Sequence, residues 1–384
     1  MTCKFVCYRQ LLYASLVVLL LLAIVAYAAA EWKQAAPDQT WAFPQDHWSK
    51  PEYKVEWWYL TGHLQEKSTE SARFAFQITF FRVGLVPESL ESDSRWSTRH
   101  AIMAHLALSD LEKEEHWFSE TVYRQTPLLA DTHEYPENPI IWTQAPPGTE
   151  GRWSLSWNGN GFDVSARDES QGIGLNLRIT IEQPILFQGP AGFSPKSVSA
   201  DSASLYYSFT RLRTEGTLFQ GGGTRELSGV SWMDREITSG VLAGSSVGWD
   251  WISLQMEDGR DLMSYRLRNQ SGQPVYRWAT VRGTDGLPTY YSQNELEWDP
   301  LEWWVSPETR ARYPVSWQIR IPAEGFDLVV RPAFPEQENV SRLLPHLYYW
   351  EGAVKAFISG RSDHVVGRGF LELTGYGDGK RLPL

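Results

Sequence analysis

Cysteine is almost absent from this chain. The 384 residues include only Cys3 and Cys7, and both precede the one long apolar run, at residues 11–30. The chain after residue 30 therefore has no thiol and cannot form a disulfide, even in a compartment that permits one. Thiol catalysis and cysteine-based metal sites are excluded, and the stability of this part must come from a packed core.

The signatures of several enzyme classes are also missing. The eight histidines form no H-E-x-x-H motif, and nothing matches a phosphate-binding loop or a dinucleotide-binding glycine pattern. We therefore expect neither a metal nor a cofactor. Residues 244–248 match the G-x-S-x-G pattern of serine hydrolases, but a strand pattern follows them instead of a helix. We interpret this segment as a turn.

The apolar run determines the expected location. Lys4 and Arg9 precede it and Ala26-Tyr27-Ala28 closes it, as in a secretory signal peptide. The run is also long enough for an uncleaved anchor, so residues 11–30 are either a removed signal or a membrane tether. In both cases we expect the body to be exported, either free in the periplasm or anchored to the inner membrane and facing the periplasm.

Acidic residues outnumber basic residues after the run. Without Lys4 and Arg9, the formal net charge of −11 becomes −13 for the body. Such a charge argues against nucleic acid as a partner. Aromatic residues are abundant, with 19 Trp, 17 Tyr and 16 Phe. They predict either large aromatic cores or a cavity for a large apolar ligand.

Hydrophobic residues recur at every second position, and no convincing helical period follows residue 30. Apolar and polar side chains alternate over residues 74–80, 175–182, 252–257 and 317–321. This pattern predicts half-buried antiparallel strands, joined by turns such as Asn158-Gly159 and Asp258-Gly259. The body is therefore predicted to be all-β, and closure into barrels would protect the strand edges.

A weak internal repeat indicates two barrels of similar plan. Trp153, Phe162 and Arg167 recur at the same spacing as Trp317, Phe326 and Arg331. The glycines at 221–223 mark a turn near the midpoint. We therefore expect a signal or anchor at 1–30, a first barrel at 31–225 and a second barrel at 226–384.

Two carboxylates stand beside an indole in the middle of the chain. Trp232, Asp234 and Glu236 alternate, so one strand would place all three on the same face. Burial and mutual repulsion would favour protonation of these acids, as a general acid near neutral pH requires. Arg235 points to the other face and is a poor direct partner. The alternative is a structural ion pair with a basic residue from a neighbouring strand.

A second group of acidic and aromatic residues is Glu56-Trp57-Trp58-Tyr59, near Asp46-His47. Either its tryptophans fill a core while Glu56 pairs with an arginine, or Glu56 or Tyr59 faces a cavity. The residues alone leave both interpretations open.

Together these segments resemble the AttH/CrtC family of exported, lipocalin-like proteins related to carotenoid 1,2-hydratase. The resemblance covers nearly the whole body. Besides 232–236 and 248–251, it rests on the segments at 43–47, 51–62, 104–110, 206–212, 349–354 and 372–376. Departures include Lys50, where relatives often have His, and Ile237, where they often have Trp.

The resemblance implies two lipocalin-like barrels with a pocket near their junction. It implies cofactor-free hydration of an isoprenoid double bond, with Asp234 as proton donor and Glu236 holding the water. The expected ligand contacts are Glu56, Trp57, Trp58, Tyr59, His105, Tyr207, Trp232, Trp249 and Trp251. The alternative is a carrier that takes a lipid or polyene across the periplasm, or delivers it to an inner-membrane transporter, without changing a bond.

Overall fold

The computed structural model describes residues 31–66, 73–88, 94–198, 202–240 and 245–377, without the side chains of 362 and 363. The signal or anchor predicted at 1–30 lies outside these residues. No helix in the described ranges has the length and apolar character needed to span a bilayer. The regular helices described are short 3-10 turns at Gln45–His47, Pro190–Gly192, Gln293–Glu295 and Pro322–Glu324.

The described chain is all-β, as predicted, and forms two large antiparallel sheets, one of them nearly barrel-shaped. The main path of the first sheet runs in the order β4-β3-β2-β1-β13-β12-β9-β8-β7-β6-β5, with β10 and β11 also paired to β12. Its strands are β1 (Val55–Glu66), β2 (Phe74–Gly84), β3 (His100–Asp110), β4 (Glu115–Arg124), β5 (Ala130–Thr132), β6 (Ile141–Gln144), β7 (Arg152–Trp157), β8 (Gly161–Asp168), β9 (Ile173–Ile181), β10 (Leu186–Phe187), β11 (Phe193–Pro195), β12 (Ala203–Gln220) and β13 (Gly223–Thr238).

The second sheet repeats this plan in the order β17-β16-β15-β14-β23-β22-β20-β19-β18, with β21 also paired to β22. Its strands are β14 (Ser246–Met256), β15 (Asp261–Asn269), β16 (Pro274–Arg282), β17 (Pro288–Ser292), β18 (Glu297–Val305), β19 (Arg312–Ile321), β20 (Phe326–Pro332), β21 (Glu338–Val340), β22 (Tyr348–Ile358) and β23 (Arg361–Leu373). In both sheets the first long strand pairs with the last, so β1–β13 corresponds to β14–β23.

The change from one sheet to the other falls later than the sequence suggested. β13 pairs with β1 and β12, so residues 226–238 complete the first sheet instead of opening the second. The sheets therefore change between Thr238 and Ser246, not near residue 225. The glycines at 221–223 form the turn between β12 and β13, two strands of one sheet.

Alternation along each strand produces three apolar layers. One face of each sheet surrounds its own core, with Trp58 and Trp153 fully buried in the first and Trp317 and Trp350 in the second. The opposite faces form a third layer, in which Tyr59 and Trp251 are among the buried residues. Polar bonds link the sheets across this layer, including Trp251 Nε1 to the Tyr206 hydroxyl at 3.1 Å.

Candidate active site

A cavity of about 70 Å³ lies between the two sheets, lined by both. Trp57 and Tyr59 from β1, Tyr206 from β12, and Asp234 and Glu236 from β13 form one side. The second sheet supplies the opposite side. Its lining residues are Trp249, Trp251, Tyr265, Leu267, Tyr349, Glu351 and Glu372.

The strand register explains this arrangement. Tyr59 lies opposite Asp234, and Trp57 lies opposite Glu236. In the second sheet Trp251 lies opposite Glu372, which is also paired with Glu351. Since residues two apart on a strand share a face, these pairings project three aromatic and four acidic side chains into the same layer.

Asp234 is buried and held by three hydrogen-bond donors. The Tyr206 hydroxyl donates at 2.7 Å, the Ser208 hydroxyl at 2.5 Å and Trp232 Nε1 at 2.6 Å. No lysine or arginine in the described part of the chain forms an ion pair with it. Burial raises its pKa to about 7 against the effect of the three donors, and the nearby Glu236 charge acts in the same direction as burial.

Two more carboxyl groups in the cavity favour the protonated form. Burial, with a smaller effect from Asp234, raises the pKa of Glu372 to about 7, although Trp249 Nε1 donates to it at 3.0 Å. Burial and then the Glu372 charge raise the pKa of Glu351 well above its ordinary value. Tyr59 donates to one oxygen of Glu351 at 2.6 Å, and the other oxygen is buried without a hydrogen-bond partner.

Glu236 differs from these acids because it has a basic partner. Lys196 Nζ lies 2.8 Å from its carboxylate, and both side chains are more than nine-tenths buried. The same ammonium group lies 4.2 Å from the centre of the Tyr265 ring. The cavity thus combines one ion-paired carboxylate with three acids that favour protonation.

Trp232 and His105 lie behind the side chains that line the cavity. Trp232 donates to Asp234 without lining the cavity. His105 Nδ1 lies 2.7 Å from the hydroxyl of Tyr349, which does line it. Burial lowers the pKa of His105 to about 3, so its ring is neutral at physiological pH. Both residues position cavity side chains instead of touching the space themselves.

Three expected ligand contacts lie on the other face of the first sheet. Glu56 forms a fully buried ion cluster with Arg82 and Arg235. The Arg235 guanidinium carbon lies 3.9 Å from the centre of the Trp58 ring. The Tyr207 hydroxyl lies 2.6 Å from His47 Nδ1. Even positions of β1 face the barrel interior, and so does Tyr207 of β12, whose neighbour Tyr206 faces the cavity. None of the three therefore lines the space between the sheets.

Sequence reasoning did not assign Glu351, Glu372, Tyr206 or Lys196 to the site. Glu351 and Glu372 stand in the segments 349–354 and 372–376 that carried the family resemblance. The two-residue period of their strands shows which neighbours share a face with Glu351 and Glu372. It does not show that this face meets the other sheet, so it could not assign them to the cavity. Lys196 follows β11 in a connecting segment that has no periodic pattern.

The arrangement suits acid–base chemistry on an apolar ligand. Protonated carboxyl groups can donate protons, the ion-paired carboxylate can accept one, and aromatic faces can stabilise positive charge. Among the described residues, no three His, Cys, Asp or Glu side chains are grouped so that they could hold a metal ion.

Comparison with known proteins agrees with this architecture. The family model for AttH-like proteins matches residues 34–376. The crystal structure of an AttH protein from Nitrosomonas europaea is 28% identical over 90% of this chain and 99% of that chain, with a TM-score of 0.77. Kievitone hydratase from Nectria haematococca covers 91% of this chain and 97% of its own at 14% identity, with a TM-score of 0.62, which shows a shared fold alone. No curated protein sequence matches the chain. The match across nearly the whole body shows that the chain belongs to the AttH-like family.

Proposed function

We propose that this protein binds the end of an apolar, isoprenoid-like ligand between its two sheets and adds water across a carbon–carbon double bond without a cofactor. The observation that carries the proposal is that three carboxyl groups with raised pKa face one aromatic cavity. Asp234 in particular has hydrogen-bond donors around it and no basic partner among the described residues. An acid that only stabilised the fold would be expected to pair with a base, as Glu56 does.

The first step is proton transfer from Asp234 to one carbon of the double bond. The π electrons form the new C–H bond, and a cation develops on the neighbouring carbon. The indoles of Trp249 and Trp251 line the cavity and can stabilise that cation through their faces. Preorganised stabilisation of this kind is commonly the largest contribution to catalysis.

Water then attacks the cation and forms the C–O bond. Glu236, whose carboxylate pairs with Lys196, accepts the proton that this water loses. Exchange through solvent returns a proton to Asp234, so the net reaction consumes one water and yields an alcohol. Burial raises the pKa of Glu372 and of Glu351, which favours their neutral forms and limits further negative charge in the cavity.

The size of the cavity limits what it can enclose. One water needs about 10–15 Å³ of cavity volume measured in this way, so a cavity of about 70 Å³ holds several waters. It is smaller than the roughly 300–1,000 Å³ typical of pockets that enclose a drug-sized ligand. The cavity therefore takes the reacting end of a long isoprenoid, while the rest of the molecule lies outside.

Two further considerations support the proposal. A hydratase, kievitone hydratase, shares this fold. The apolar run at 11–30, with Lys4 and Arg9 before it, is typical of an exported protein, and we place the activity in the periplasm or at the periplasmic face of the inner membrane. Apolar isoprenoids partition into membranes, so this location would bring protein and ligand together.

The test compares the wild-type protein with Asp234→Asn. Each is incubated with lycopene or geranylgeraniol in water enriched in heavy oxygen, and the organic extract is analysed by mass spectrometry. We expect the wild type to give a product heavier by one labelled water, and Asp234→Asn to reduce its rate by at least about 10²-fold. Asp163→Asn, at an exposed carboxylate paired with Arg178, is the matched control and should retain the rate.

The same extracts separate the hydratase from a carrier. If wild type and Asp234→Asn both yield the same unmodified co-purified lipid, and neither changes the added isoprenoid, the chain is a carrier and the hydratase proposal is wrong.

A further inference from the structure

One end of the first sheet gathers the cavity, the first described residues and several exposed apolar side chains. β1 starts there at Val55, which pairs with Thr238 at the end of β13 and with Val83 near the end of β2. β12 also starts at this end, where Ser204 lies opposite Thr238. Asp234 is four residues from Thr238, a distance of about 13 Å along an extended strand.

Four exposed apolar side chains project from the connections at this end. Leu85 and Val86 follow β2 and are 55% and 37% exposed, and Trp96 precedes β3 at 51%. Val198, in the connection from β11 to β12, is 77% exposed. We call these four residues the apolar rim. Isolated exposed apolar residues are ordinary, whereas large exposed apolar patches mark interaction surfaces, so four such side chains at one end of a sheet make that end a candidate for one.

The chain enters the fold beside the rim. Trp32 packs against Gly84, where an added Cβ would lie 2.4 Å from the indole. The His100 ring is centred 5.8 Å from Trp32, and the Arg99 guanidinium lies 5.2 Å from its ring centre. The apolar run of residues 11–30 ends one residue before Glu31, the first described residue. A membrane-embedded run would therefore bring this end of the sheet to the bilayer.

We propose that the apolar rim inserts into the interface of a lipid bilayer, so that the cavity lies close to the membrane surface. Trp96 supplies the type of side chain enriched at membrane interfaces, and the neighbouring Arg95 and Arg99 can contact lipid phosphates. This membrane contact goes beyond the proposed hydration and does not depend on it. It commits to the bilayer as the occupant because the apolar run leads to this end of the fold.

The absence of cysteine from the body allows a direct test. Cys3 and Cys7 are replaced by serine, and one cysteine is introduced in the full chain at Val86 or Val198. Leu287 provides the matched control. It is an aliphatic side chain, 65% exposed, in the connection between β16 and β17 of the second sheet. Each cysteine is labelled with the fluorophore NBD, and the protein is reconstituted into phosphatidylcholine vesicles.

We expect the labels at 86 and 198 to shift their emission to the blue and to be quenched by lipids carrying a spin label on the acyl chain. The label at 287 should keep the emission of a probe in water. High salt should preserve the blue shift and the quenching, because apolar insertion is not screened and only the contribution of Arg95 and Arg99 should weaken.

Water-like emission at 86 and 198 in vesicle-bound protein would show a tether without a docked rim and overturn the proposal. A blue shift at 86 and 198 without vesicles would do the same, because it would mean that protein covers the rim. Trp96→Asp should weaken the lipid-dependent shift at Val198, whereas Leu287→Asp should not. None of these readouts requires catalysis, so the hydration proposal can fail while this one stands.

Discussion

Asp234 and Glu372 occupy equivalent positions in the two sheets and face the same cavity. Asp234 lies opposite Tyr59 on the β1–β13 pair, and Glu372 lies opposite Trp251 on the corresponding β14–β23 pair. The rings of Tyr59 and Trp251 meet edge-to-face with centroids 5.2 Å apart. The internal repeat thus builds one site from two matched halves, each contributing an acid and an aromatic side chain.

The raised pKa of Asp234 predicts that the protein loses stability as pH rises. The folded protein keeps a proton on Asp234 up to about pH 7, whereas the unfolded chain releases it near 3.8. Stability therefore falls with increasing pH across this window. A rise of about three pKa units corresponds to about 4 kcal/mol at most, at about 1.4 kcal/mol per unit.

We expect Asp234→Asn to flatten the dependence of the unfolding free energy on pH between about 4 and 7. Glu372→Gln should act in the same direction, since burial also raises the pKa of Glu372 to about 7. Urea denaturation at several pH values measures the slope, with Asp163→Asn as the surface control. An unchanged slope in Asp234→Asn would show that this carboxyl group is ionised in the folded protein.

Removing the base of the ion pair in the cavity should destabilise the fold. Lys196→Met leaves the Glu236 carboxylate buried without its partner, which typically costs about 3–5 kcal/mol. Glu236→Gln added to Lys196→Met should recover much of that loss, because the unpaired charge is removed. The matched control is Lys33→Met, which breaks an exposed pair with Glu52 and should cost less than about 1 kcal/mol. Additive effects of the two cavity substitutions in a double-mutant cycle would contradict this coupling.

Close approach of β23 to β14 makes Gly369 intolerant of a side chain. A Cβ at this position would lie 1.7 Å from the carbonyl oxygen of Ser253, which is backbone and cannot turn away. We expect Gly369→Ala to cost about 1–3 kcal/mol or more. At Gly240 the nearest atom is a serine hydroxyl 3.5 Å away, so Gly240→Ala should change stability little. Equal thermal midpoints for the two variants would contradict this prediction.

Alternation along the strands explains what the sequence could predict. The two-residue period indicated an all-β fold, and it correctly separated Asp234 and Glu236 from Arg235 on opposite faces of β13. The repeat indicated two units of similar plan. These features depend on neighbouring residues in one strand, so the local sequence pattern is enough to predict them.

Long-range pairing explains what the sequence could not predict. Period two shows that Trp57 and Tyr59 share one face and that Glu56 and Trp58 share the other, but not which face closes around a barrel core. Nothing local shows that β13 returns to pair with β1, so the glycines at 221–223 resemble a boundary in the sequence although they join two strands of one sheet. The contribution of Glu351 likewise depends on how the two sheets stack, which brings it to the Tyr59 hydroxyl.

The ion cluster inside the first barrel should be essential for folding. Glu56 is fully buried between Arg82 and Arg235, with Arg82 Nε at 2.5 Å. Although burial opposes ionisation, the two guanidinium groups lower its pKa to about 2. The stability that this carboxylate contributes is therefore present above about pH 4.5, its ordinary pKa, and is lost as pH falls toward 2.

Glu56→Gln leaves two buried guanidinium groups without a counter-charge. We expect a loss of about 3–5 kcal/mol in the free energy of unfolding, measured by urea denaturation at neutral pH. Glu182→Gln, which breaks an exposed pair with Arg213, should cost less than about 1 kcal/mol. The second barrel has a similar buried cluster at a different strand position, in which Asp250 contacts Arg266 and Arg268, so Asp250→Asn should be similarly damaging. If Glu56→Gln cost no more than Glu182→Gln, the cluster would not be needed to hold the β1–β13 pair that positions Tyr59 and Asp234.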